Sequence, residues 1–384
     1  MFAGWRLSAR GEEPSTNRDG AKGGECSALE ADERVNKILA AQRDFHHLPG
    51  MAGAIFKGES LAVIGAVGVR KLGSDEAMRV GDRVHLGSCT KAMTATVIGI
   101  LVDEGKLKWS STIGEVFPKE AGALHEDYQK ASLHQLLSHR AGLPANTAWG
   151  LLGKKRTTTD QRRVLLSAVL KDAPKSKPGT KFEYSNVGYA LAGLMAEQVT
   201  GMAWEVLMKE RLFEPLGMTS AGFGAPGEGG KIQEPWGHHE VGGRVEASQG
   251  DNAPALGPAG TVHASLPDWA KFGMLHNQGE RGKARLLKAG TFRALHTPDA
   301  GESYVGGWMV VKRPWAGGTA LTHSGSNTMW YATIWLAPGR DFGTLVATNQ
   351  GGEGASKACA KASEGLILLA RHLKAAGRGM PAAR

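Results

Sequence analysis

A serine and a lysine three residues apart are the first groups in this chain whose spacing suggests chemistry. Gly87-Ser88-Cys89-Thr90-Lys91 leads into a proline-free, mostly apolar run to residue 105 (Met93, Val97, Ile98, Ile100, Leu101, Val102). The pattern predicts a helix that starts at the serine. On a helix Ser88 and Lys91 share a face, so their side chains can meet. A serine hydroxyl is a weak nucleophile until a neighbouring base takes its proton. A lysine held there and partly desolvated loses enough basicity to be that base. The helix N-terminus adds partial positive charge where an oxyanion would form. The plainer reading is a capping serine followed by an exposed lysine, and a chain of this composition carries such a spacing about once by chance.

Two other stretches offer groups that complement Ser88. Phe182-Glu183-Tyr184-Ser185-Asn186 precedes an apolar helix expected over 189–199. Tyr184, near cationic groups, is expected to lose its proton more readily than free tyrosine. It can share the base role with Lys91 and later protonate a leaving group. Asn186 offers an amide both to Lys91 and to a substrate carbonyl, with a helix cap as the plain alternative. His323-Ser324-Gly325-Ser326 falls at the end of a strand. Gly325 lets a substrate chain approach the backbone as an added strand would. The amide of Ser326, with that of Ser88, can form an oxyanion hole. His323 can donate to substrate or tune Tyr184; the plain alternative is a structural histidine.

The elements that must bring these residues together lie far apart in the chain. Ser27-Ala28-Leu29-Glu30 reads as a capping box opening a helix with Val35, Ile38, Leu39 and Phe45 as its apolar stripe, ended by Pro49-Gly50. Residues 52–56 and 61–69 read as a hairpin over Lys57-Gly58-Glu59-Ser60, and 83–86 as an extended approach to Ser88. Helices follow over 132–137, 159–171, 189–199, 204–212, 268–275 and 289–296. Between them, 221–260 is Gly-rich and irregular, long enough to line a substrate site. Strands return over 306–311, 320–323, 330–336 and 343–348, before a last helix over 355–373. An antiparallel sheet with strands from both ends of the chain requires those ends to meet. The expected fold is α+β: an antiparallel sheet flanked by N- and C-terminal helices (27–86 and 299–384). A large all-helical domain (87–298) is inserted and carries the first two motifs, with a cleft between the two parts. Residues 1–26, rich in Gly, Ser and charge, are expected to be disordered.

Composition narrows the partners. The 384 residues are 41% hydrophobic and 22% charged, and no run of 18 apolar residues would span a membrane. The net charge of +9, from 46 Lys+Arg against 37 Asp+Glu, is scattered, with small clusters such as Lys154-Lys155-Arg156. Without a basic stripe, no nucleic-acid partner is expected; the charge suits solubility and anionic substrates. Cys26, Cys89 and Cys359 have neither disulfide nor metal-ligand spacing, and Cys89 reads as a small buried residue. The chain has no His-Glu-x-x-His, no Gly-x-Ser-x-Gly elbow and no phosphate-binding glycine loop, so no metal or cofactor is expected. The N-terminal stretch lacks an apolar h-region, which implies a cytoplasmic protein unless a leader lies upstream and directs it to the periplasm or beyond.

Taken in order, the three stretches resemble the serine β-lactamases and penicillin-recognising peptidases, most of all class C β-lactamases, D-alanyl-D-alanine carboxypeptidases, D-aminopeptidases and their esterase relatives. The family's serine-x-x-lysine falls on Ser88 and Lys91, its tyrosine-x-asparagine on Tyr184 and Asn186. Its third motif, a basic residue two before a glycine, falls on His323, Ser324 and Gly325. Leu136-Leu137-Ser138-His139-Arg140-Ala141-Gly142-Leu143 and Phe213-Glu214-Pro215-Leu216-Gly217-Met218 are also similar, and the resemblance spans residues 52–349. It implies a β-lactamase/transpeptidase-like fold. It also implies catalytic roles for Ser88, Lys91 and Tyr184, and substrate or oxyanion contacts from Asn186, His323, Ser324, Gly325 and Ser326. Class C enzymes carry lysine where this chain has His323. That lysine helps hold a β-lactam carboxylate, and a largely neutral histidine does so less well. The implied function is a serine hydrolase working through an acyl-enzyme on Ser88 and cleaving small-molecule esters or D-amino-acid amide and peptide bonds. The alternatives are a class C-like β-lactamase and a penicillin-binding sensor that acylates without turnover.

Overall fold

The computed structural model describes residues 30–153, 156–283 and 285–373. Its strands are β1 (Gly50–Lys57), β2 (Ser60–Gly68), β3 (Arg83–His85), β4 (Gly222–Phe223), β5 (Gly237–Val241), β6 (Arg244–Ser248), β7 (Val262–Ser265), β8 (Tyr304–Val305), β9 (Trp308–Arg313), β10 (Gly318–Ser326), β11 (Tyr331–Ala337) and β12 (Phe342–Thr348). The longer helices are α1 (Glu33–Phe45), α2 (Thr90–Asp103), α3 (Thr158–Val169), α4 (Asn186–Thr200), α5 (Leu266–Glu280), α6 (Ala289–His296) and α7 (Glu353–His372).

Both ends of the chain meet in one sheet. β1 and β2 form the expected hairpin, and β1 pairs on its other side with β12, Met51 opposite Thr348 and Lys57 opposite Phe342. The order β2-β1-β12-β11-β10-β9-β8 is antiparallel throughout. Met51, Ile55 and Val346 face a core built with α1 and α7, where Val35, Leu39, Cys359 and Leu366 are buried. Ala52, Ala54, Phe56 and Leu345 face a larger core shared with the helical part. With both faces covered, β1 and β12 lack the polar alternation of a half-exposed strand. Each fully buried Leu or Phe adds roughly 1.5–3 kcal/mol.

Several expectations are corrected at the edges of this plan. α1 begins at Glu33, because the Asp32 side chain caps it by accepting from the amides of Arg34 and Val35. Residues 27–29 of the expected capping box, the tail 1–26 with Cys26, and Lys154 and Lys155 lie outside the described residues. Phe45, read as part of the apolar stripe, is 77% exposed, since the helix turns its last residue away from the sheet. The segment between β3 and β8 is mostly but not wholly helical. Residues 221–260 contain β4 and the β5–β6 hairpin, and β7 pairs with both β3 and β4. β7 is only Val-His-Ala-Ser, too short for its period to stand out in sequence. Among the described residues no helix is long and apolar enough to cross a membrane.

Within the helical part, α3 and α4 are fastened by ion pairs. Arg162, fully buried, donates from Nε (3.2 Å) and Nη2 (2.5 Å) to Glu197 and from Nη1 (3.1 Å) and Nη2 (3.0 Å) to Glu205. That anchors the C-terminal part of α4, whose first residue is Asn186.

Candidate active site

The turn that carries Ser88 is set from both sides. β3 pairs with β7, His85 opposite His263, and Leu86 N donates to Val262 O at 2.9 Å. The chain then turns through Gly87, at φ 49°, into one 3₁₀ turn, Gly87–Cys89, that feeds α2. A Cβ on Gly87 would lie 2.4 Å from Ser326 N, and one on Gly325 would lie 2.5 Å from Ser88 N and 2.1 Å from Leu86 O. Only glycine fits at either position. The amides of Ser88 and Ser326 therefore belong to two segments in direct contact, the layout that an oxyanion hole needs.

Ser88 Oγ lies between two polar groups. Tyr184 Oη donates to it at 2.8 Å, and Lys91 Nζ is 3.0 Å away. Lys91 is wholly buried, and desolvation drives its pKa well below the ordinary 10.5. As a free amine it has two hydrogens and one lone pair. It donates to Asn186 Oδ1 at 2.7 Å and to Ala259 O at 2.8 Å, oxygens that can only accept. The lone pair is left for the Ser88 hydroxyl. The rings of Tyr184 and Tyr189 lie 4.8 and 5.6 Å from the nitrogen.

Tyr184 does not lose its proton more readily than free tyrosine, as its surroundings in sequence suggested. Burial of its hydroxyl pushes the pKa up to about 12, outweighing the hydrogen bond to Ser88. The cation expected to draw the proton off is itself disfavoured by burial, which lowers the Lys91 pKa. Tyr184 is thus a phenol and a donor, with 37% of the residue exposed at the mouth of the site.

Asn186 is the first residue of α4, which starts earlier than its apolar run because Ser185 caps it, accepting from Gly188 N. Its amide spans two partners: Oδ1 takes Lys91, and Nδ2 donates to Asn146 Oδ1 at 2.9 Å. Asn146 Oδ1 also receives Trp149 Nε1 at 3.2 Å.

The third stretch divides along the pleat of β10. His323 and Gly325 face the Ser88 side with Leu321 and are buried. Ser324 turns to the opposite face, where its Oγ donates to Thr333 Oγ1 at 3.0 Å. Ser326 Oγ accepts from Thr328 N at 2.9 Å, so its backbone rather than its side chain borders Ser88. His323 is 6% exposed, and Nε2 lies 3.4 Å from Tyr304 Oη, not against Tyr184. Burial lowers its pKa to about 3, so it brings no positive charge to the cleft.

Two contributors escaped the sequence reading. His139, 1% exposed and at φ 59°, packs its ring 4.4 Å from Tyr184, 4.7 Å from Tyr304 and 5.2 Å from Tyr189. Its Nδ1 accepts from Ser185 N at 3.0 Å, which orients the Tyr184–Asn186 segment. Its only signal was its place in 136–143, without any indication of a role. The Ala259 carbonyl that receives Lys91 has no side-chain signature at all. Among the described residues no group of three or more His, Cys, Asp or Glu is placed to hold a metal ion.

The chain is similar to known proteins in sequence and in fold. The family model described as Beta-lactamase matches residues 35–366. Penicillin-binding protein 4 of Amycolatopsis lactamdurans is 28% identical over 325 residues, 81% of this chain and 83% of that protein. The octameric penicillin-binding protein homologue from Pyrococcus abyssi superimposes with a TM-score of 0.72 at 23% identity, covering 88% of this chain and 77% of that one. The D-amino acid amidase from Ochrobactrum anthropi SV3, solved with L-phenylalanine, gives 0.70 at 21% identity, covering 88% and 98%. At these identities the two structures speak for the fold.

Proposed function

We propose that this chain, which belongs to the beta-lactamase family of serine hydrolases, cleaves esters or D-amino-acid amide and peptide bonds through an acyl-enzyme on Ser88. The observation that carries this reading is the position of Ser88 Oγ between the Lys91 amine at 3.0 Å and the Tyr184 hydroxyl at 2.8 Å. In the reaction Oγ attacks the substrate carbonyl carbon while Lys91 Nζ takes the hydroxyl proton. The carbonyl oxygen, now anionic, is met by the amides of Ser88 and Ser326. When the bond to the leaving group breaks, Tyr184 and the charged Lys91 return a proton to its oxygen or nitrogen. Water then attacks the ester carbonyl while Lys91 takes its proton; the bond from Ser88 Oγ to the acyl carbon breaks, Oγ takes that proton back, and the acid is released.

What favours an uncharged leaving side is the state of His323. Neutral and buried against Tyr304, it offers no cation to a carboxylate beside the scissile bond. This suits esters and amides and disfavours β-lactams, whose carboxylate wants a positive partner. A second reading, acylation by penicillin with slow release, is favoured by the similarity to a protein named penicillin-binding protein 4.

Hydrolysis of p-nitrophenyl butyrate, a D-alanine amide and nitrocefin by the wild type and by Ser88→Ala separates these readings. The expected result is ester or amide turnover that is lost in Ser88→Ala, with slow nitrocefin hydrolysis. Rapid nitrocefin turnover without esterase activity would make the chain a β-lactamase, and a lasting penicillin adduct without turnover would make it a sensor.

A further inference from the structure

Asp251 lies between the two segments that carry the amides of Ser88 and Ser326. It follows the β5–β6 hairpin, and its side chain is 13% exposed. Its Oδ1 accepts from Asn327 Nδ2 at 3.1 Å and lies 2.8 Å from His85 Nε2, a close charge contact outside hydrogen-bond geometry that is the nearest polar partner of that buried nitrogen. His85 is fully buried on β3, and its other ring nitrogen, Nδ1, accepts from Gly87 N at 3.1 Å. A nitrogen that accepts carries no proton, so in the neutral ring the proton sits on Nε2, beside the carboxylate.

One carboxylate oxygen therefore reaches both sides of the gap. Through His85 it reaches the peptide just before Ser88, and through Asn327 the turn just after Ser326. Asn327 is 3% exposed, and its Oδ1 accepts from Met329 N at 3.2 Å, so this arm is itself held. The next residue, Asn252, donates to Gly260 O at 2.7 Å, steadying the segment whose Ala259 carbonyl receives Lys91. Elsewhere the two segments meet at glycines 87 and 325, which touch backbone to backbone, and through Cys89 Sγ, 3.6 Å from His323 O.

We infer that Asp251 is a positioning residue for the oxyanion hole, with His85 and Asn327 as its two arms. It touches no reacting atom. It sets the separation and direction of the Ser88 and Ser326 amides, on which transition-state stabilisation depends steeply. This rests on the proposed acyl-enzyme on Ser88.

The test compares Asp251→Ala and Asp251→Asn with the wild type, each counted by fluorophosphonate titration of reactive serine. The readouts are p-nitrophenyl butyrate kinetics and affinity for phenylboronic acid, which forms a tetrahedral adduct on a serine oxygen. The expected result for Asp251→Ala is a kcat lower by about tenfold or more, with KM within about twofold and boronate affinity weakened in proportion. Asp251→Asn, which keeps the shape and loses the charge, should fall between. Should the alanine variant not fold, the asparagine variant decides alone. Wild-type kcat and boronate affinity in Asp251→Asn would then overturn the inference, as would wild-type values in a folded Asp251→Ala. A merely structural role would lower the urea midpoint and leave kcat per titrated site unchanged, which also overturns it. Ester hydrolysis that survives in Ser88→Ala would instead remove the underlying reading, whatever Asp251 does.

Discussion

Lys91 Nζ and Asn186 Oδ1 lie 2.7 Å apart, and this one bond determines which way the lysine works. With Ala259 O it occupies both hydrogens of the free amine and leaves the lone pair facing Ser88. Replacing Lys91 with methionine keeps the length and removes the base, and should lower kcat for an ester by about 10³-fold. Lys91→Arg should be as inactive, since a guanidinium stays charged at any working pH. Thermal melting of both variants shows whether the loss is chemical: the methionine protein should stay folded while losing about 1–3 kcal/mol, because Asn186 Oδ1 and Ala259 O lose their donor.

Tyr184→Phe removes the donor that lies 2.8 Å from Ser88 Oγ and keeps the ring that packs against His139. The expected loss is about 10²-fold in kcat with KM little changed. Steady-state kinetics with an equal kcat in both proteins would take Tyr184 out of proton transfer.

The pH profile of kcat/KM should reflect the same pair. Lys91 works once its ammonium has lost a proton, so activity rises with pH through the lysine pKa. Because burial holds that pKa well below 10.5, the rise should be complete before pH 10. The falling limb belongs to Tyr184, near 12. A profile still climbing at pH 10 would mean that Lys91 keeps its ordinary pKa.

Stability has its own pH dependence through His323. Its pKa is about 3 folded against about 6.5 in an unfolded chain. The unfolded form binds the proton first as pH falls. Stability is therefore full above about 6.5 and declines toward 3, by at most about 5 kcal/mol from this residue. Urea unfolding between pH 4 and 7 should give a visibly shallower slope for His323→Gln than for the wild type.

Gly325→Ala tests the contact between β10 and the Ser88 turn. The new methyl would sit 2.1 Å from Leu86 O and 2.5 Å from Ser88 N, both backbone atoms that cannot rotate aside. The two segments must part, at a cost of about 3 kcal/mol and with loss of activity. Chemical denaturation and ester assays on the same preparation check both effects.

The sequence revealed the fold because its signals were local and strong: the β1–β2 hairpin, the late strands and the long apolar helices. It also placed Ser88, Lys91, Tyr184 and Asn186 at ordered spacings, and these meet within hydrogen-bond distance. What it could not reveal depended on burial and pleat. Lys91 and Tyr184 have the charge states they do because both are desolvated, which no spacing records. Ser324 turns away from Ser88 because β10 alternates, and His323 meets Tyr304 for the same reason. His139, Ala259 and Asp251 act through a backbone acceptor, a carbonyl and a carboxylate distant in sequence, none of which forms a motif.

The most direct measurement of the central claim is mass spectrometry of protein quenched in acid during turnover of p-nitrophenyl butyrate. A butyryl group is expected on the peptide containing Ser88, absent from Ser88→Ala, which also loses turnover. A butyryl group on another residue, or unchanged turnover in Ser88→Ala, would contradict it.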